Sequence, residues 1–102
     1  MGKRRANSKE DVLIIISENL ELLSQLKVRH IELFGSFARG TQTAKSDIDL
    51  VVEFTERVGY FHFFDVQTFL EKILGRKVDL ATKRTLRPEY LDQIEKELIR
   101  AA

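Results

Sequence analysis

The stretch SDIDLVVEF, residues 46–54, sets Asp47 and Asp49 two positions apart in a run that alternates like a strand. On that pattern Asp47, Asp49, Val51 and Glu53 share one face, while Ile48, Leu50, Val52 and Phe54 share the other. Two carboxylates held so close repel by about 4 kcal/mol at roughly 4 Å and an effective dielectric of about 20. A third acid, Asp79, falls in a similar short run, RKVDLAT. Such a group needs protonation, nearby Arg or Lys, or a divalent cation, and oxygen ligands without His or Cys suit Mg2+ or Mn2+. Upstream, with ten residues between Ser36 and Asp47, Gly35 ends another apolar run and Ser36 opens a polar segment. A glycine turn followed by a helical turn presents backbone N–H groups and a hydroxyl where a phosphate can sit. A D-x-D pair alone is more often a solvated strand end. Joined by one loop to a phosphate cradle, it is a way to hold a nucleoside triphosphate and its metal ions together.

The elements that must position these groups follow from the apolar spacing. Ser8 with Asp11 forms an N-cap signal, and apolar residues at 12, 16, 20 and 23 predict a helix running to about Leu26. KVRHIELFG predicts a strand ended by Gly35, SFARGTQTAKS a loop with one helical turn after Ser36, and DIDLVVEF a second strand. Val66, Phe69, Leu70, Ile73 and Leu74 mark a helix stopped by Gly75, and RKVDLAT a third strand. Pro88 opens a last helix through PEYLDQIEKELIRAA, with Leu91, Ile94 and Leu98 on its apolar face. A helix between two strands favours a right-handed parallel crossover, so strands two and three are expected as parallel neighbours with Asp79 beside Asp49. The fold class is α/β (α+β): a small mixed β-sheet with helices packed on it. Residues 1–7 read as a flexible basic arm and residues 8–102 as a single domain.

Composition narrows the function classes. A chain of 102 residues supports one core and no separate acceptor-binding domain. Its 17 basic and 16 acidic residues nearly cancel, which gives no reason to expect nucleic-acid binding. The absence of cysteine excludes disulfides and thiolate metal sites and fits a cytoplasmic setting. The apolar run Val12–Ile16 is too short for a signal or membrane segment and is followed by Glu18 and Glu21. His30 and His62 lack metal-ligand spacing, Lys45 and Lys77 read as solvated charges, and Ser46 and Thr82 as strand-end caps. Arg39 can clamp a phosphate or pair with a surface carboxylate. The cluster Tyr60, Phe61, Phe63 and Phe64 favours core packing over a partner patch by about two to one.

Taken together, Gly35-Ser36, ten residues and Asp47-Ile48-Asp49 resemble the signature of the DNA polymerase β-like nucleotidyltransferases. GSFARG, SDIDLVV, GRKVDLAT and LRPEYLDQIEKEL are further similar to the minimal nucleotidyltransferases, often paired with a HEPN-domain protein as antitoxin and toxin. The resemblance implies that Asp47, Asp49 and Asp79 form the catalytic and metal site, holding two Mg2+ ions, with Mn2+ an alternative. Asp79 would assist deprotonation of the acceptor, and Gly35, Ser36 and Arg39 would bind the nucleotide. It implies transfer of AMP from ATP to a tyrosine hydroxyl of the HEPN partner, in a hetero-oligomer that silences the toxin. Two other functions stay open: an antitoxin that acts by binding alone, and a transferase for small molecules.

Overall fold

In the computed structural model, which describes residues 5–102, Ser8 caps the first helix as its spacing predicts. Its hydroxyl accepts from the Asp11 N–H at 3.1 Å, and the Asp11 carboxylate accepts from the Asn7 N–H at 2.9 Å. Helix α1 spans Lys9–Ser17, and a second helix, α2, spans Leu20–Gln25. One continuous helix was expected here, and Asn19 is the reason for the break. Its side-chain amide donates to the Ile15 carbonyl at 2.8 Å and its backbone N–H to Ile16 at 3.0 Å, satisfying the chain locally in place of the regular ladder. Lys27, at φ 66°, then turns the chain into strand β1, Val28–Phe34.

A short helix, α3, spans Gly35–Arg39 and ends at Gly40 in the left-handed region, φ 77°. Strand β2 spans Ile48–Phe54, helix α4 Tyr60–Leu74, and strand β3 Val78–Ala81. Helix α5 spans Pro88–Glu95. The last helix was expected to continue to the end of the sequence; instead the Glu97 N–H closes a turn on Ile94, and Ile99–Arg100 form a fourth strand, β4.

The sheet order is β3-β2-β1-β4, with β2 and β3 parallel and β1 antiparallel to both of its neighbours. This is the mixed sheet expected, with the crossover through α4. Alternation along β2 divides the molecule into two layers. Ile48, Leu50 and Val52 join Leu33, Phe37, Val66, Leu70, Val12 and Ile16 in the main core. On the opposite face Val51 and Phe34 meet Ile94 of α5 in a second, smaller cluster with Leu86, Leu91 and Leu98. The second face is only partly covered, and the acidic residues lie on it.

The expected arm at residues 1–7 has its first four residues outside the described ones. Its last part is anchored: Ala6 is fully buried, and its N–H donates to the Leu74 carbonyl at 2.8 Å.

Candidate active site

Register brings the acids together. In the parallel ladder Asp49 is aligned with Asp79, and across the antiparallel ladder it is paired with Phe34, the residue before Gly35. The second and third strands thus deliver two carboxylates side by side, while Asp47 precedes β2 on its exposed approach. Asp49 is half-buried and Asp79 exposed. Burial, then the charges of Asp79 and Asp47, and then a hydrogen bond with Asp79 push the Asp49 pKa up to about 6, against the pull of Arg39.

Like charges this close favour any positive charge brought between them, whether a proton or a cation. Among the described residues, no group of three or more His, Cys, Asp or Glu side chains is arranged to hold a metal ion, so the three acids do not by themselves form a ready site. The donor set still fits a hard divalent cation that takes part of its shell from a substrate: oxygen ligands only, excess negative charge and an open side. Asp47, Asp49 and Asp79 are the residues that would hold it.

Gly35 has two reasons to be glycine. Its φ is +75°, and a β carbon there would stand 2.1 Å from Asp49 Oδ2. The Asp49 carboxylate therefore lies directly against the backbone of the Gly35-Ser36 turn, which joins the two halves of the motif in space. Arg39, on the last turn of α3, makes the carboxylate pairing that was one of its two expected roles, and the partner is Glu97. Its Nη1 donates to Glu97 Oε1 at 3.2 Å and Oε2 at 3.3 Å, and the Gly35 N–H donates to the same Oε1 at 3.2 Å. Glu97 was not singled out in the sequence, although it is an acid three residues from Ile94 on an otherwise apolar face. Tyr90, also unforeseen, stacks edge-on to Phe34 with ring centroids 6.3 Å apart. Its hydroxyl pKa is raised by burial, then by Asp49, Glu97 and Asp79, with Arg39 opposing.

The loop that carries Asp47 is held from behind by Arg76, a buried cation whose hydrogen bonds among the described residues go to carbonyl and amide oxygens. Its Nη1 donates to the carbonyls of Ala44 at 3.0 Å and Ser46 at 3.3 Å, its Nη2 to Asn7 Oδ1 at 3.0 Å, and its Nε to the Ala6 carbonyl. The guanidinium lies 5.2 Å from the centre of the Phe37 ring, so one side chain braces the N-terminal segment, α3 and the residue preceding Asp47. Burial, then Arg5, pulls its pKa below the usual arginine range.

The remaining expected roles divide. His30 and His62 engage the backbone carbonyls of Ala102 and Leu26 at 3.3 and 2.6 Å, and Lys45 and Lys77 are exposed. Ser46 Oγ accepts from the Thr43 N–H at 2.8 Å, and Thr82 enters a turn with Thr85, closing the strand ends. The aromatic cluster departs from the expected core packing. Phe63 packs against the core and Phe54, but Tyr60, Phe61 and Phe64 are 76%, 82% and 53% exposed. With about 3.6 residues per turn, the buried stripe of Val66, Leu70 and Leu74 includes Phe63 and leaves Phe61 on the far side. Beside Tyr60 and Phe63 opens a cleft of about 760 Å³, lined by Val51, Phe54, Thr82 and Lys83 among others. It contains none of the three acids, and the carboxylate cluster, where the charge and close approach are concentrated, is the better candidate for chemistry.

The family model for the nucleotidyltransferase domain matches residues 11–101. A Methanocaldococcus jannaschii relative grouped with the protein adenylyltransferases is 46% identical over 79 residues, covering 76% of this chain and 81% of the relative. A solved structure assigned as a minimal nucleotidyltransferase superposes with a TM-score of 0.77 at 30% identity, covering 90% of this chain and 94% of the other. A chain from the crystal structure of a toxin-antitoxin with AMP-PNP superposes with a TM-score of 0.70 at 26% identity, covering 85% and 72%.

Proposed function

The chain belongs to the nucleotidyltransferase-domain family, as a minimal nucleotidyltransferase, and from that premise we propose that it is an antitoxin that transfers AMP from ATP to a tyrosine hydroxyl of a HEPN-domain toxin. The observation that carries this reading is the alignment of Asp49 with Asp79, with Gly35 pressed against Asp49. Asp47, Asp49 and Asp79 would hold Mg2+, two ions or Mn2+ in its place, and the backbone turn at Gly35-Ser36 with Arg39 would bind the triphosphate. The metal supplies charge neutralisation on the phosphates and lowers the pKa of the acceptor hydroxyl.

The partner's tyrosine oxygen attacks the α-phosphorus of ATP, the bond from that phosphorus to the β-phosphate oxygen breaks, and pyrophosphate leaves. Asp79 would take the phenolic proton, a role supported by its being the more exposed of the two aligned acids. Asp49, half-buried against Gly35, is the fixed member that sets the position of the group. The cysteine-free composition is consistent with a cytoplasmic site of action, and among the described residues no helix is long and apolar enough to cross a membrane.

Co-expression with the protein encoded beside this chain, followed by the partner's intact mass, tests the reading. AMP-sized increments with wild type and none with Asp49→Asn are expected. Equal increments with both proteins would remove the acidic cluster from the mechanism.

A second reading, neutralisation by binding alone, is favoured by one observation, the exposure of Tyr60, Phe61 and Phe64 at the start of α4. An unmodified partner in a stable, inactive complex, unchanged by Asp49→Asn, would select it.

A further inference from the structure

Glu97 stands where the triphosphate is expected to bind. Its carboxylate takes the Gly35 N–H at 3.2 Å and engages Arg39 Nη1 through both oxygens, at 3.2 and 3.3 Å. These are two of the groups assigned above to the nucleotide. We propose that Glu97 is the residue that sets the affinity of this site for the triphosphate, acting as an internal anion that the nucleotide must displace; this rests on the nucleotide-binding role of Gly35 and Arg39.

The contact is delivered by scaffold rather than by a wandering side chain. Glu97 lies in the turn between α5 and β4, where its own N–H donates to the Ile94 carbonyl at 2.9 Å. Ile94 is buried against Phe34 and Val51, and Ile99 is paired with Leu33, so both ends of the turn are tied to the sheet. Its side chain is 24% exposed, against 53% for Arg39. The backbone of the turn is thus fixed at the mouth of the site, and displacement moves only the Glu97 side chain.

One N–H cannot donate at full strength to two anions, and a triphosphate oxygen placed on Gly35 and Arg39 would meet the Glu97 charge at the same spot. Binding therefore requires Glu97 to leave, and the apparent affinity is reduced by the fraction of molecules in which the contact is made. Release also leaves Arg39 free for the phosphates, so the two events are coupled through one guanidinium. A residue that stayed in place and oriented Arg39 toward the nucleotide would have the opposite effect when neutralised.

Calorimetric titration of AMP-PNP with Mg2+ into the full chain and into Glu97→Gln separates these. The expected result is tighter binding by the variant, on the order of five- to tenfold. Binding by wild type with an equal or weaker variant overturns the role of Glu97 alone. Binding by neither overturns the nucleotide site and the Glu97 role with it. A measurement on wild type guards against a variant that misfolds: the Glu97 side-chain carboxyl carbon resonance should move on saturation with the same probe, together with the Gly35 amide. A Gly35 shift with a stationary Glu97 carbon overturns the displacement.

Discussion

Asp49 is where function and stability pull apart. Its ordinary pKa of 3.8 is raised to about 6 in the folded chain, so between those values the folded state holds a proton that the unfolded chain releases. Stability from this group is therefore full below about pH 4 and is lost as pH rises through about 6. Asp49→Asn removes that loss. Metal-free melting curves should show the variant gaining on wild type between pH 4.5 and 7.5, with added Mg2+ or Mn2+ closing the gap for wild type only. A constant difference across that range would contradict the shift. On the proposed mechanism the same substitution should cut AMP transfer by roughly 100-fold or more, since it would delete a charge assigned to act on the phosphates through metal. Gly35 supplies a second test against a matched control. Gly35→Ala strains a positive φ and drives a β carbon into Asp49, whereas Gly40→Ala strains φ with nothing within 4 Å. Each should lose about 1–2 kcal/mol in urea unfolding from the backbone, and Gly35→Ala should also lose transfer activity. Activity retained in a folded Gly35→Ala would mean the close approach to Asp49 is dispensable.

Arg76 belongs to the scale of elements, because it joins pieces rather than touching the acids. It reaches the N-terminal segment, the loop before β2 and the face of Phe37, all through carbonyl, amide and ring contacts. Arg76→Met keeps much of the apolar bulk but strands buried carbonyls, and should destabilise the fold by about 3 kcal/mol. Arg76→Lys, with one donor head in place of a planar fork, should recover only part of it. Equilibrium urea unfolding decides both, and a loss below 1 kcal/mol for Arg76→Met would show that solvent replaces the lost contacts.

The same residue marks a boundary in what the sequence discloses. Alternation in β2 and the crossover rule are local or pairwise, and they were enough to place Asp79 beside Asp49 and α4 between their strands. The role of Arg76 depends on partners up to 70 residues away in sequence, and no spacing signals them. The break at Asn19 and the end of α5 before β4 were missed for a related reason. Apolar periodicity runs on through both places, and the decisive terms are a side-chain amide bonding its own backbone and a two-residue strand that pairs with β1. Glu97 was hidden by the second error: read as one more helical position, it had no reason to meet Gly35 and Arg39, 62 and 58 residues earlier.

At the scale of the whole molecule the two sheet faces have different duties, and Tyr60 and Phe61 at the start of α4 serve neither. The main core is closed by Val66, Leu70 and Leu74, and the acidic face is braced by α5, yet Tyr60 and Phe61 stand together in the open with ring centroids 5.8 Å apart. Exposed aromatics of this size make good anchors for a partner, because they bury much area at small entropic cost. If the acceptor tyrosine arrives on a partner protein, this patch beside the cleft at Val51 and Thr82 is a natural place for that partner to grip. Phe61→Ser and Phe64→Ser should then leave unfolding free energy within about 0.5 kcal/mol of wild type, since each side chain is more than half exposed. They should weaken association with the partner by about 2 kcal/mol or more, roughly thirtyfold in dissociation constant. Titration calorimetry on the purified pair measures the second quantity, and nucleotide binding to the variant alone serves as the control for an intact acidic site. Undiminished association would locate the docking surface elsewhere, and a loss of nucleotide binding in these variants would tie the aromatic patch to the site itself.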